Sequence, residues 1–265
     1  MAYMRAREAG GVLVLRNEDL DPQRSKVEFA NAMVEDLDWL GIHWQEGPDV
    51  GGTFGPYSQS ARREHYLTVW KKLLAGGFLY PCTCSRRELS GIAQAPHEGS
   101  PKELRLEGDE GPLYPGTCRP KAGSTELIRL ESPAGVNWRF RVPEGEVVAF
   151  DDRHFGPQRF VAGEDFGDFP VWRRDDVPAY QLAVVVDDDA MRITEVVRGA
   201  DLLLSTARQI LLYKAVGRKE PRWYHCPLML DDRGERLAKR HDALAIRTLR
   251  EQGKTPDEVL GLKTD

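Results

Sequence analysis

No stretch of this chain approaches the roughly 18 apolar residues that a membrane helix needs. No charged-then-apolar leader opens it either. The composition therefore points to a cytoplasmic protein without a membrane partner. Cysteine is scarce, with four in 265 residues, too few for a secreted disulfide framework. A dominant charge is also missing. Lys+Arg number 37 against 42 Asp+Glu, for a net charge of -5, which excludes a strongly basic coat but not a local basic face for RNA. Internal repeats are absent, and none of the six histidines forms a His-x-x-His pair. What is present is an ordinary balance of 41% hydrophobic and 30% charged residues. The length suits one large α/β domain, or one domain with an insertion, in a monomer.

Along the chain, residues 1–10 read as the end of an amphipathic helix stopped by Gly10 and Gly11. Val12 to Leu15 is a short apolar run, as expected of a buried parallel strand. Pro22 is expected to open a helix lasting to about Leu40, and a second helix spans about Gln59 to Ala75. The texture then changes. Residues 77–170 are rich in Pro, Gly and charge, and read as an inserted, largely antiparallel subdomain with strands over 126–150 and 158–162. Regular α/β texture returns with strands expected at Leu182 to Val186, Ile193 to Val197 and Trp223 to Leu230, and a helix at Leu203 to Val216. One or two short helices close the chain. The organisation is thus 1–76, an insertion at 77–170, and 171–265.

Three groups of residues carry chemistry. The first is Arg236-Leu237-Ala238-Lys239-Arg240, three cations just past a strand and a turn. Such a loop can fold over a triphosphate, where an ammonium stabilises departing pyrophosphate; alone, it reads more readily as a solvated basic loop. The second is Glu18, Tyr180 and Arg198, each at an edge of an expected strand. A guanidinium and a phenol can clamp a carboxylate, and Glu18 can receive an ammonium. The plainer readings are a structural ion pair for Arg198 and acidic dressing of a helix start around Glu18. The third is Cys82, Cys84 and Cys118, spaced for a metal in a reducing compartment, or else packing thiols. Cys226 reads as a core residue.

The segments RNEDLDPQRS, GPYSQSARREHY, YPCTCS, YQLAVVVDD, TEVVRGADLLLSTARQ and RLAKR occur in this order. The series resembles glutamyl-type class I aminoacyl-tRNA synthetases over nearly the whole chain, apart from residues 91–112. Only about 25 residues follow Arg240, too few for an anticodon-binding domain, so the likeness is to the short members of that family. The resemblance implies a Rossmann-type parallel sheet with an inserted zinc-bearing α+β subdomain. It implies ATP-dependent activation of L-glutamate, with Mg²⁺, and transfer to queuosine at the wobble position of tRNA(Asp). Arg198 and Tyr180 would hold the side-chain carboxylate and Glu18 the α-ammonium. RLAKR would be the KMSKS-type loop, with Lys239 touching ATP and with Arg236 and Ala238 as its departures. Cys82, Cys84 and Cys118 would hold one structural Zn²⁺, with Tyr114 as the fourth ligand and His97 as its rival.

The same family carries a first strand and a HIGH-type signature at the next helix. Neither occurs in this sequence, whose opening resembles only the far end of that helix. Either Met1 is internal to a longer protein, which the intact later motifs favour, or the gene is truncated. In the second case a non-catalytic module binding glutamate or tRNA is the alternative, and a fragment of a discrete glutamyl-tRNA synthetase is a third. An open sheet edge and an apolar groove are expected where that strand would lie.

Overall fold

A computed structural model describes residues 1–21, 25–84, 113–121, 132–228 and 245–261. The chain divides into two compact units, Met1–Ala61 with Pro227–Asp265, and Arg62–Cys226.

The first unit contains helices α1 (Ala2–Glu8) and α2 (Val27–Trp39). Two expectations are corrected here. The run at 12–15 is not a buried strand. It makes one parallel bridge, Val14 to Glu46, and Val12 stays 60% exposed. A parallel strand needs cover on both faces, which none of the described residues supplies at Val12. The segment is held instead at isolated points, Leu15 N–H to Glu46 O (2.8 Å) and Asn17 N–H to Tyr57 O (2.9 Å). The helix expected from Pro22 begins five residues later, with extended Lys26 as its N-cap; residues 22–24 lie outside those described. Of the acids before it, Asp19 is engaged elsewhere, accepting from Ser60 N and Oγ (2.8 and 2.6 Å). The tail forms two short helices, Ile246–Glu251 and Pro256–Leu260. The second has the ingredients of a self-starting helix: Thr255 and Glu258 form a capping box around Pro256. The first is tied to α2 by Arg250, which pairs with Asp36 at 2.8 Å and lies over Trp39.

In the second unit, α3 (Arg63–Ala75) buries Tyr66, Trp70 and Leu73, spaced four and three apart on one face. Its Trp70 meets Trp138 edge-on at 5.0 Å and Trp172 at 6.4 Å. Those two partners come from β2 (Asn137–Phe140) and β5 (Phe169–Trp172), which with β1 (Leu79–Cys82) form an antiparallel sheet ordered β1-β2-β5. A second sheet joins β3 (Val147–Asp152), β4 (Gly156–Val161), β6 (Glu195–Gly199) and β7 (Arg222–Cys226) in the order β4-β3-β7-β6. Its β3/β7 and β6/β7 pairs are parallel, and β3/β4 is antiparallel.

Leu182 to Val186 is the largest correction. It lies in helix α4 (Tyr180–Ala190), not in a strand. All of Leu182 through Asp188 is buried, so the helix shows no polar face, and a short apolar run of this kind cannot be told from a strand by periodicity. The three aspartates that follow, Asp187 to Asp189, are helical as well. Asp187 is wholly buried and accepts from Arg62 Nε (2.6 Å) and Tyr66 Oη (2.9 Å), pinning α4 to α3. Helix α5 (Leu203–Ala215) matches its expected span. Removing one partner of a buried ion pair strands the other charge, so Asp187→Ala is expected to cost about 3–5 kcal/mol in urea unfolding. A loss under about 1 kcal/mol would show that the pair is worth no more than a surface one.

Candidate functional site

The register of β6 on β7 sets Arg198 directly opposite His225. On the far side of β7, the end of β3 brings Asp152 alongside. Three strands thus line up a carboxylate, an imidazole and a guanidinium. Asp152 Oδ2 lies 2.7 Å from His225 Nδ1, and Arg198 Nε donates to His225 Nε2 at 3.2 Å. From α5, Thr206 Oγ1 accepts from Arg198 Nη2 at 2.6 Å. The guanidinium also sits 5.0 Å from the Trp223 ring.

Tyr180 stands at the first turn of α4, close enough for its phenol to act on the same guanidinium. The structure therefore brings together Tyr180 and Arg198, two of the three residues expected to bind the amino acid, although Tyr180 starts a helix and does not edge a strand. Tyr180 is 40% exposed and Arg198 half-buried. A carboxylate reaching this point would meet a cation and a phenol in a setting drier than bulk water, where charge-assisted hydrogen bonds are strong. Burial pulls the Arg198 pKa below its ordinary value, opposed by Tyr180 and Asp188; a guanidinium stays protonated through the physiological range.

Glu18 lies in the first unit, exposed, with Arg16 Nη2 donating to its Oε1 at 3.0 Å. Arg236, Leu237, Ala238, Lys239 and Arg240 lie outside the described residues, as does His97.

A separate cluster forms at the end of β1. The sulfurs of Cys82, Cys84 and Cys118 lie within 4.8 Å of one another. The Tyr114 hydroxyl sits among them, 3.5 Å from Cys82 Sγ and 3.8 Å from Cys84 Sγ, and Cys84 and Cys118 are 3.5 Å apart. A tetrahedral metal with ~2.3 Å bonds to sulfur sets its ligand atoms about 3.5–3.8 Å apart, the spacing of the Cys82–Tyr114, Cys84–Tyr114 and Cys84–Cys118 pairs. Arg139 braces the group, donating to Cys82 Sγ at 3.3 Å and lying 3.7 Å from the Tyr114 ring. Burial works against a Cys118 thiolate, but the Thr83 N–H and the Tyr114 and Cys84 hydrogen bonds bring its pKa down to about 6. Burial instead pushes Cys84 up to about 11 and raises Tyr114 as well.

The family model for class I tRNA synthetases (E and Q), catalytic domain, matches residues 1–262. The chain belongs to that family. It is 49% identical over 261 residues to the glutamyl-Q tRNA(Asp) synthetase of Symbiobacterium thermophilum, covering 98% of this chain and 78% of that one. It is 41% identical over 256 residues to glutamate–tRNA ligase 2 of Nitrosococcus oceani, covering 96% of this chain and 52% of that one. Among solved structures, the glutamate-tRNA synthetase of Elizabethkingia anophelis superposes with a TM-score of 0.77 at 27% identity, covering 98% of this chain and 55% of that chain. The chain thus spans about half the length of that structure.

A class I synthetase catalytic domain accounts for the mixed sheets with parallel strands and places the protein among ligases. No described helix is long and apolar enough to cross a membrane. Around Arg198, reading the sequence missed Asp152, His225 and Thr206. Thr206 stands only eight residues on, in α5, but His225 and Asp152 come from distant strands, and the β6/β7 and β3/β7 pairings, which sequence does not print, bring them to the arginine.

Proposed function

We propose that this protein activates L-glutamate with ATP and transfers it to queuosine at the wobble position of tRNA(Asp). The observation that carries this reading is the Tyr180–Arg198 pair, a half-buried cation and phenol suited to a side-chain carboxylate, in a synthetase chain whose family is specific for the E and Q amino acids. Glutamine would offer the guanidinium only a neutral amide, so this pair favours glutamate. The higher identity to a glutamyl-Q tRNA(Asp) synthetase than to a glutamate–tRNA ligase supports the acceptor.

In the proposed reaction, the glutamate α-carboxylate attacks the α-phosphorus of ATP in line. A mixed anhydride forms, and the bond to pyrophosphate breaks. A hydroxyl of the acceptor then attacks the activated carbonyl, releasing AMP, with its proton passing to solvent. No side chain need act as nucleophile; the reactants are positioned. Arg198 and Tyr180 fix the side-chain carboxylate, and Glu18 takes the α-ammonium. Lys239, with Arg236, Leu237, Ala238 and Arg240, forms the ATP loop, whose cation steadies the departing pyrophosphate. Mg²⁺ bound with ATP would supply further neutralisation of phosphate charge. Cys82, Cys84 and Cys118, with Tyr114, would hold Zn²⁺, a closed four-ligand set that suits a structural role.

Glutamate-dependent exchange of pyrophosphate into ATP tests activation. It is expected with L-glutamate and not with glutamine. Glutamyl transfer to tRNA(Asp) isolated with and without queuosine, set against tRNA(Glu), tests the acceptor. Well-folded protein that exchanges no pyrophosphate would overturn the enzyme reading, and charging of tRNA(Glu) instead would favour a glutamate–tRNA ligase.

A further inference from the structure

We infer that His225 and Asp152 are positioning residues: Asp152 fixes the tautomer of His225, and the Nε2 lone pair of His225, with the Thr206 hydroxyl, aims the Arg198 guanidinium at the glutamate side chain. The inference rests on the glutamate reading above and names the device behind it.

The argument starts at Asp152, which is 3% exposed. Its Oδ1 accepts from the backbone N–H groups of His154 (3.0 Å) and Phe155 (2.8 Å). Its Oδ2 accepts from the backbone N–H of His225 at 3.0 Å and stands 2.7 Å from Nδ1 of the same residue. Burial disfavours this carboxylate, but the Phe155 N–H, the His225 ring and the His154 N–H outweigh it and hold its pKa below the usual range. An ionised carboxylate only accepts. Nδ1 must therefore carry the proton, and in the neutral ring Nε2 is left as an acceptor. Facing that acceptor is the donor Arg198 Nε at 3.2 Å; the Thr206 hydroxyl lies 3.1 Å from it and gives its one proton to Leu202 O at 3.1 Å. Thr206 also receives Arg198 Nη2. The guanidinium is thus held at two nitrogens, with its central carbon 5.0 Å over the Trp223 ring. His225 and Thr206 are wholly buried. Buried polar chains return little net stability, and this one ends on the member that reaches the surface, Arg198.

Protonation would put a hydrogen on Nε2, facing a cation. The charged or titratable groups around the imidazole are Asp152 from β3 and Arg198 from β6. Behind Arg198 stand Tyr180 and Asp188 from α4 and Tyr213 from α5. Burial holds His225 below its ordinary value, with Asp152 opposing and Arg198 reinforcing the shift. Glutamate affinity is accordingly present in the neutral range and lost as pH falls through the depressed imidazole pKa.

Calorimetric titration of the full chain with L-glutamate, and separately with ATP, tests this in the wild type and in Arg198→Ala, Asp152→Asn, His225→Leu and His225→Gln. A hydrogen bond to a charged group is worth about 10- to 100-fold in affinity. Asp152→Asn, which turns the amide N–H toward Nδ1 and reverses the tautomer, and His225→Leu should each weaken glutamate by that factor. ATP affinity should hold within about twofold, a change of under ~0.5 kcal/mol. His225→Gln presents an amide oxygen near the Nε2 position; it should recover most of the affinity and remove the acid-side loss. Asp152→Asn and His225→Leu proteins that bind glutamate like the wild type, or that lose ATP in parallel, would overturn the inference and leave the glutamate reading standing. Wild type that does not bind glutamate, or Arg198→Ala that binds it unchanged, would overturn the glutamate reading and this inference with it. If His225→Leu does not fold, the nearly isosteric Asp152→Asn decides.

Discussion

Arg198→Ala should abolish glutamate-dependent pyrophosphate exchange at ordinary substrate levels, with an apparent KM for glutamate raised about 100- to 1,000-fold, equivalent to about 3–4 kcal/mol. The size follows from two losses that act together. The substrate carboxylate loses its cation in a half-buried setting, and the lone pair of His225 loses its donor. Arg198→Lys should rescue little. A lysine ammonium is a point charge on a flexible stem, and cannot donate along both the Nε and Nη2 directions that His225 and Thr206 occupy. The KM for ATP should barely move, because the described contacts of Arg198 hold it to His225, Thr206, Leu202 and Trp223 around the proposed carboxylate position. Initial-rate kinetics varying each substrate separate these outcomes. A mutant with unchanged glutamate KM would remove Arg198 from the amino-acid site; a matched rise in both KM values would mark it as a residue of the fold alone.

How much of this was legible in the sequence depends on the range of the signal. Helices α3 and α5 were read close to their observed spans, because Tyr66, Trp70 and Leu73 repeat at helical spacing. The short motifs led to Tyr180, Arg198 and the cysteine group. Helix α4 was not legible as a helix, since burial on all sides erases the alternation that reports secondary structure. The run at Val12 was misread for the opposite reason: its apolar side chains implied burial that the described fold does not give it. The His225–Asp152 support could not be found at all. Its members lie 73 residues apart, and adjacency arises only when β7 settles between β3 and β6. A charged residue facing an imidazole across a sheet is a property of register, and register is set by the whole sheet.

The metal cluster leads to the other large effect. Protein purified without chelator should carry about one zinc per chain by elemental analysis, because three thiolates and one oxygen close a tetrahedral site. Cys82→Ser should lose it. Cys82 is the last residue of β1, paired with Asn137 of β2, and Arg139 Nε donates to its sulfur, so a metal held there would tie the end of one sheet to the segment bearing Tyr114 and Cys118. Structural zinc contributes on the order of 10 kcal/mol in small metal-dependent folds. Even a fraction of that here should lower the thermal midpoint of the stripped protein by about 10 °C or more, since ~1 kcal/mol moves a domain of this size by about 2–4 °C. Tyr114→Phe separates the two candidates for the fourth ligand. If the phenolate binds, Tyr114→Phe weakens zinc while His97→Ala does not. The reverse pattern would assign the position to His97 and leave the Tyr114 hydroxyl as the acceptor for the Cys118 N–H, 2.8 Å away. Metal-free protein with an unshifted midpoint would return all three cysteines to the role of packing thiols, with Cys118 then more readily ionised than Cys84.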